Sequence, residues 1–333
     1  MAHLRIGERW EHDPTTLLLR PFDGTTQDLA ALAEVRNETL RATTLPEDYQ
    51  EATPEDIANF YRRGDFSLVG NAWLMFQEKR PVAAAIVYPM AAFHDRPPGN
   101  FHLYVVPPLW GHSIGSRLLA HLEQAAMARG HPVLETTVAR EDEPSVGFLT
   151  GHKFGIVGHA LHLSRARLSD LAQPELPEGF AIKSLAQLEE APSLYIEAAN
   201  RLGSYDPYYS LISGEELDEL MAADKWDAAG AFFLFDPNQR IIGVIRASQI
   251  APAKGYLHEI RLEPASRGRG LGTAMVARAL GYLANRKVEQ VELDTASENS
   301  AARNLALRAG FKETRHWLHF LKQLRVIDPE KGS

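Results

Sequence analysis

The sequence contains no cysteine. Disulfides, thiolate metal sites and cysteine nucleophiles are therefore excluded. It also lacks a long hydrophobic run. The longest apolar stretch, Pro81 to Phe93, is broken by Pro89 and falls short of the roughly 20 residues a spanning helix needs. Met1 to Trp10 carries charges and no apolar leader. Basic excess is missing too: 35 Lys and Arg face 43 Asp and Glu, a net charge of −8. A sequence-independent grip on nucleic acid rests on a basic surface, so no nucleic-acid partner is expected. His159 and His162 have no companions at metal-ligand spacing, and no metal is expected. These absences together predict a cytoplasmic protein with no membrane partner.

What is present is ordinary globular composition, 45% hydrophobic and 23% charged over 333 residues. That length suits two domains. The chain also repeats itself. Phe101 to Phe154 matches His258 to Phe311 without a gap, Gly272 following Gly115 by 157 residues and Phe311 following Phe154 by 157. Upstream, Asn71–Val87 resembles Gly230–Arg246 with small indels. Shared strand–turn–helix patterning is the competing explanation, but order, spacing and turn positions agree over a long span. The join is expected in the Pro- and Gly-containing polar stretch Ser169–Phe180. The division expected is a first domain at 1–170, a linker at 171–179 and a second domain at 180–333.

Each half reads alike. Thr16–Arg20 and Phe180–Leu185 are expected as first strands. Thr53-Pro54-Glu55-Asp56 opens a helix with an N-cap, a proline at the first helical position and early acids. Ser213-Gly214-Glu215-Glu216 opens its counterpart. Hairpins are expected from Trp73–Gln77 to Val82–Tyr88 and from Phe232–Asp236 to Ile241–Ala247. The strand Leu257–Leu262 feeds the helix Gly272–Ala284, and strand, helix and strand follow at Val288–Asp294, Ser300–Ala309 and Phe311–Phe320. Strands and helices mix without strict βα alternation, which disfavours a plain doubly wound fold.

The sharpest motif is Arg267-Gly268-Arg269-Gly270-Leu271-Gly272-Thr273, between a strand and an amphipathic helix. Glycines let the backbone approach an anion, and the helix N-terminus presents free N–H groups and a positive dipole end. Arg267 and Arg269 add charge. A P-loop would need Gly-Lys-Ser or Gly-Lys-Thr, which is absent. A dinucleotide fingerprint would need a third glycine where Thr273 stands, although Asp294 on a later strand keeps that rival open.

Read as R-x-x-G-x-G, the loop resembles the pyrophosphate loop of the GNAT acetyltransferase superfamily. Leu262-Glu263-Pro264 before it, Asn299 after the next strand and Gly310-Phe311 at the end of the next helix share that resemblance. It covers most of Phe180–Leu324, and a more divergent copy covers about Thr16–Leu168. The resemblance implies an α/β fold of mixed α+β type: two tandem GNAT-like acyl-CoA N-acyltransferase domains, each a mixed, mostly antiparallel sheet flanked by helices. It implies acetyl-CoA as co-substrate, without a metal, and a small-molecule amine as acceptor. Backbone groups of Ile260, Arg261 and Leu262 would pair with the pantetheine arm. N–H groups from Arg267 through Gly268, Arg269, Gly270, Leu271 and Gly272 to Thr273 would hold the pyrophosphate. Asn299 would contact the pantetheine or cap the next helix.

For the chemistry, Glu259 is the expected base, since a carboxylate in an apolar strand is costly unless paired or functional. His258 is second choice, reached if a bulge breaks the strand's alternation. The tyrosine that often serves such enzymes as acid is replaced by Ala306. Tyr256, or Tyr205, Tyr208 and Tyr209, would have to stand in. In the first copy Trp110, Ser113 and Lys153 replace Arg267, Gly270 and Gly310, and His102 replaces Glu259. Ser113 stands where a glycine-only conformation is expected, so the first half is expected to be inactive or a weak cofactor binder. A non-catalytic acyl-CoA-binding pair and a nucleotide-binding protein remain the alternatives. Either a monomer or a homodimer is compatible.

Overall fold

A computed structural model describes residues 17–44, 49–62, 66–89, 98–168, 174–205, 211–214, 217–218, 221 and 226–324. Tyr208, Tyr209, Glu215, Glu216, Met1–Trp10 and the stretch 169–173 of the expected linker lie outside the described residues. Among the described residues no helix is long and apolar enough to cross a membrane, and no group of three or more potential ligands is placed to hold a metal ion.

The chain runs through β1 (Leu17–Pro21), α1 (Thr26–Thr43), α2 (Pro54–Tyr61), β2 (Ala72–Gln77), β3 (Arg80–Pro89), β4 (Gly99–Val105), α3 (Ile114–Ala128), β5 (Val133–Ala139), α4 (Glu143–Gly151) and β6 (Gly155–Ala166). It continues through β7 (Ala181–Ser184), α5 (Leu185–Leu188), α6 (Pro192–Gly203), β8 (Ala231–Phe235), β9 (Ile241–Ala251), β10 (Lys254–Leu262), α7 (Leu271–Asn285), β11 (Gln290–Ala296), α8 (Ser300–Arg308) and β12 (Lys312–Gln323). The α2 start expected at Thr53 carries a full capping box with Asp56. The turn at Asp236-Pro237-Asn238 closes on the Asp236 side chain, which accepts from the Asn238 amide at 2.9 Å.

Two compact units result: residues 1–157 with 318–333, and residues 158–317. The contacts thus divide the chain at 157/158 and 317/318, and not at the expected 171–179 linker. The cause is core membership. Leu161 and Leu163 of β6 pack into the second unit's core, whereas Leu318 and Phe320 of β12 pack into the first. Each unit takes its final strand from beyond the boundary that the repeat suggested.

In the first unit the strands lie in the order β1-β2-β3-β4-β5. In the second the order is β6-β11-β10-β9-β8-β7. Pairing is antiparallel except β4 with β5 and β10 with β11, so both sheets are mixed and mostly antiparallel. The second sheet has an apolar layer on each face. Leu257, Met275, Leu280, Val291 and Phe311 share one, and Tyr195, Ala199, Phe233 and Val244 share the other, beneath α6.

The duplication is visible in the backbone. Left-handed conformations recur 157 residues apart at Gly111 and Gly268, Ser113 and Gly270, Gly130 and Lys287, and Lys153 and Gly310.

Candidate active site

The glycine loop of the second unit is a cradle. Gly268 has φ 77° and Gly270 has φ 78°, values that favour glycine. A Cβ built at either would meet nothing within 4 Å, so their faces are open. Gly270 caps α7 without any side-chain bond to its first turn, leaving the leading N–H groups for an anion. Arg267 donates from Nε to the Leu262 carbonyl at 3.1 Å, and Arg269 lies 4.9 Å over the Phe180 ring. Leu271 is buried, and Gly272 lets α7 pack against Leu305 of α8. The adjoining cleft encloses about 760 Å³ and is lined by Ile260, Leu262, Thr273, Asn299 and Tyr205, among others. Asn299 also caps α8, accepting from the Ala302 amide at 3.1 Å, so cap and cleft wall coincide. Open glycine faces, a free helix N-terminus and two arginines fit a pyrophosphate.

Beside this cleft β10 and β11 separate. Their parallel pairing covers only Lys254–Tyr256 against Gln290–Glu292. Farther along, the backbone edge of Ile260–Leu262 has no partner strand on that side among the described residues, as an added extended chain would require.

A bulge sits at the same place. Leu257 pairs with Ala247 but Ile260 with Ile245, so His258 and Glu259 together oppose Arg246. Glu259 accepts from Arg246 Nε at 3.2 Å and from the Tyr195 hydroxyl at 3.1 Å. His258 Nε2 shares a 2.7 Å hydrogen bond with Ser248 Oγ. Arg246 and Ser248 are two apart on β9, so sequence neighbours His258 and Glu259 engage one face of the sheet. The bulge thus removes the alternation that would have separated them.

Electrostatics alter the roles expected for these residues. Burial pushes the Glu259 carboxyl up, but the opposing influences, Arg246 first among them, leave the group below its ordinary range. Side-chain exposure is only 16% for Glu259 and 9% for Arg246. An engaged carboxylate of low basicity is better suited to positioning than to taking a proton from an amine. Burial, reinforced by Arg246, lowers His258 to about 4, so its ring is neutral near pH 7. Tyr256 donates its hydroxyl to Asp294 Oδ2 at 2.7 Å. Burial first and Asp294 second raise the phenol. Ala306 is buried in the core, whereas Tyr205 is half exposed at the cleft.

Sequence reasoning missed the partners. Tyr195, Arg246 and Ser248 carry no motif and are identified by strand register. In the sequence Asp294 only keeps the dinucleotide alternative open, and His162 is a histidine without companions at metal-ligand spacing. They are direct cross-strand partners in β6 and β11, with His162 Nδ1 2.8 Å from Asp294 Oδ1.

The first unit shows how the copies diverged. Ser113 adopts the left-handed conformation of Gly270, at φ 62°, contrary to the expectation that serine would not fit there. Trp110 repeats the Arg267 contact, donating from Nε1 to the Val105 carbonyl at 2.6 Å. A cleft of about 450 Å³ remains. The strand differs, because β4 pairs with β3 in unbroken register and has no bulge. His102 is held between the hydroxyls of Tyr61 and Tyr88.

The second unit thus brings together a glycine cradle at a helix start, a splayed parallel strand pair and a bulge at the splay. The model of the Acetyltransferase (GNAT) family matches residues 31–155 and again 202–311, and the chain belongs to that family, as a tandem member. A mycothiol acetyltransferase of Tsukamurella paurometabola is 27% identical over 242 residues, covering 69% of this chain and 79% of that protein. A GCN5-related N-acetyltransferase from Sphaerobacter thermophilus superposes with TM-score 0.74 at 18% identity, covering 93% of this chain and 96% of its own. A tandem GNAT protein from the clavulanic acid biosynthesis pathway gives 0.69 at 18% identity, covering 94% and 100%.

Proposed function

We propose that the protein is an acetyl-CoA-dependent N-acetyltransferase acting on an amine of a small molecule, with the second unit as the working one. The observation that carries this is the coincidence, in the second unit alone, of glycine cradle, unpaired Ile260–Leu262 edge and bulge at His258-Glu259. The first unit keeps the loop conformation but has a regular strand. The relatives' name, mycothiol acetyltransferase, supports acetyl transfer to a small molecule.

Acetyl-CoA would supply an activated acyl thioester; the acceptor amine, its ammonium proton lost to water, attacks the carbonyl, and the C–N bond forms as the C–S bond breaks, with the nitrogen's further proton passing to water. The chain's part is binding and orientation. Backbone N–H groups from Arg267 to Thr273 hold the pyrophosphate, and Ile260–Leu262 align the pantetheine arm. Glu259 fixes the bulge through Arg246 and Tyr195. His258, neutral and bonded to Ser248, lines the acceptor side. Tyr205 is the proposed proton donor to the departing thiolate, since Ala306 offers none. Buried Ala306 also favours a second reading, an acyl-CoA-binding protein without turnover.

Calorimetry with acetyl-CoA tests the cofactor site. Gly270→Glu should abolish binding in the second unit, and Ser113→Glu should leave it intact. Equal loss from both, or no binding by the unaltered protein, refutes the division of labour. Release of free CoA with an amine panel separates the enzyme from the non-catalytic binder.

A further inference from the structure

The face of the second sheet that carries His258 continues across β10, β11 and the part of β6 in this unit as a polar floor. Tyr256 and His258 lie side by side, ring centroids 4.8 Å apart. Two residues past the last β10–β11 pair, at Tyr256 and Glu292, the same faces carry His258 and Asp294. Asp294 therefore stands across the mouth of the splay from the bulge.

The floor's two acids are not equivalent. Glu292 is engaged by Lys254 Nζ at 3.3 Å and by Gln290 Nε2 at 3.1 Å. Asp294 has the Tyr256 hydroxyl on one oxygen and His162 Nδ1 on the other. A carboxylate has about four lone-pair positions, so two remain open. The Asp294 side chain is 45% exposed. Among the described residues no lysine or arginine is ion-paired with it, and its neighbour His162 carries charge only when protonated. Burial pushes the Asp294 carboxyl up, but His162 and Tyr256 outweigh it and hold it ionised. A fixed, accessible anion without a permanent counter-charge thus stands across the splay from the His258-Glu259 bulge.

We propose that Asp294, oriented by His162 and Tyr256, binds the ammonium form of the acceptor before it is deprotonated. The catalytic meaning of this subsite rests on the transferase reading above, whereas ammonium binding itself does not. Three N–H donors of a primary ammonium match the two open positions on Asp294 with one left for water. Quaternary ammonium ions and neutral alcohols lack that match.

The probe is n-propylammonium chloride, added to the full chain at a pH above the His162 pKa, which the hydrogen bond to Asp294 raises. The readout is the His162 ring signal in NMR, assigned by its loss in His162→Gln. Saturable displacement is expected with propylammonium, and none with tetramethylammonium at equal ionic strength or with propan-1-ol. Asp294→Asn should abolish the displacement while leaving acetyl-CoA affinity within about twofold. No displacement, equal displacement by tetramethylammonium, or displacement that survives in Asp294→Asn overturns the proposal. The wild-type selectivity decides it even if the variant folds poorly. Failure of acetyl-CoA to bind would sink the transferase reading and leave the ammonium result standing.

Discussion

Arg246→Met is the most informative single change. Arg246 and Glu259 form a largely buried pair on adjacent strands, with Nε 3.2 Å from Oε2 and side-chain exposures of 9% and 16%. Removing one partner of such a pair leaves the other buried and unpaired, at a cost of about 3–5 kcal/mol. The structure also fixes the pH dependence. In the native chain burial raises the Glu259 pKa, and the opposing influences, Arg246 first among them, leave the net folded value lowered. A depressed carboxyl contributes stability above its unfolded pKa, near 4.3, and loses it as pH falls through the folded value. Without Arg246 the burial effect prevails and the folded pKa rises above the unfolded one. The variant then suffers most at high pH and recovers on acidification, by up to ~1.4 kcal/mol per pH unit between the two values. Urea unfolding of wild type and variant, followed by far-ultraviolet circular dichroism at pH 7 and pH 5 (roughly the window in which such a carboxyl titrates), measures this. The double variant Arg246→Met/Glu259→Leu should recover most of the loss. A cost below about 1 kcal/mol at neutral pH, or one that does not shrink on acidification, refutes the buried-pair account.

Other outcomes follow from the same site. His258, lowered to about 4, binds a proton in the unfolded chain before the folded one, so stability should fall with acid from about pH 6.5; His258→Asn should flatten that slope in acid-unfolding curves, and an unchanged slope would exclude it as the source. Tyr205→Phe should reduce kcat by roughly 100-fold without changing acetyl-CoA affinity if it protonates the thiolate; equal kcat removes it from the chemistry. Ser113→Gly relieves a left-handed serine, a gain of at most ~1 kcal/mol in urea midpoints, because glycine's greater unfolded-state freedom offsets part of it. A loss of stability would mean that the serine side chain makes a compensating contact.

The sequence made the elements and the glycine loop legible for local reasons. Thr53 and Asp56 are three residues apart and cap each other. Arg267 to Thr273 is contiguous, and its glycines stand where φ is positive. The surroundings of His258 and Glu259 were not legible, because they are assembled by register. Glu259 was conspicuous as a charge in an apolar strand, but its partners are Arg246, on the neighbouring strand, and Tyr195, on a helix 64 residues earlier. Ser113 reads as an obstacle in the sequence, yet it adopts the left-handed conformation at φ 62°, one that costs serine about 1–2 kcal/mol.

By itself the sequence determined that one fold is present twice, that the second copy keeps the glycine loop, and that no cysteinyl acyl-enzyme can form. Those properties depend on residue type and short spacing. Tertiary structure alone decided which residues share a unit and a face. His162 lies in the first repeat, but β6 pairs with β11 and sets it opposite Asp294, in the second unit. The one-residue bulge, invisible in composition or periodicity, turned His258 and Glu259 to the same side. Strand register is a property of long-range hydrogen bonding and core packing, and a slip of one residue exchanges the faces of every side chain beyond it.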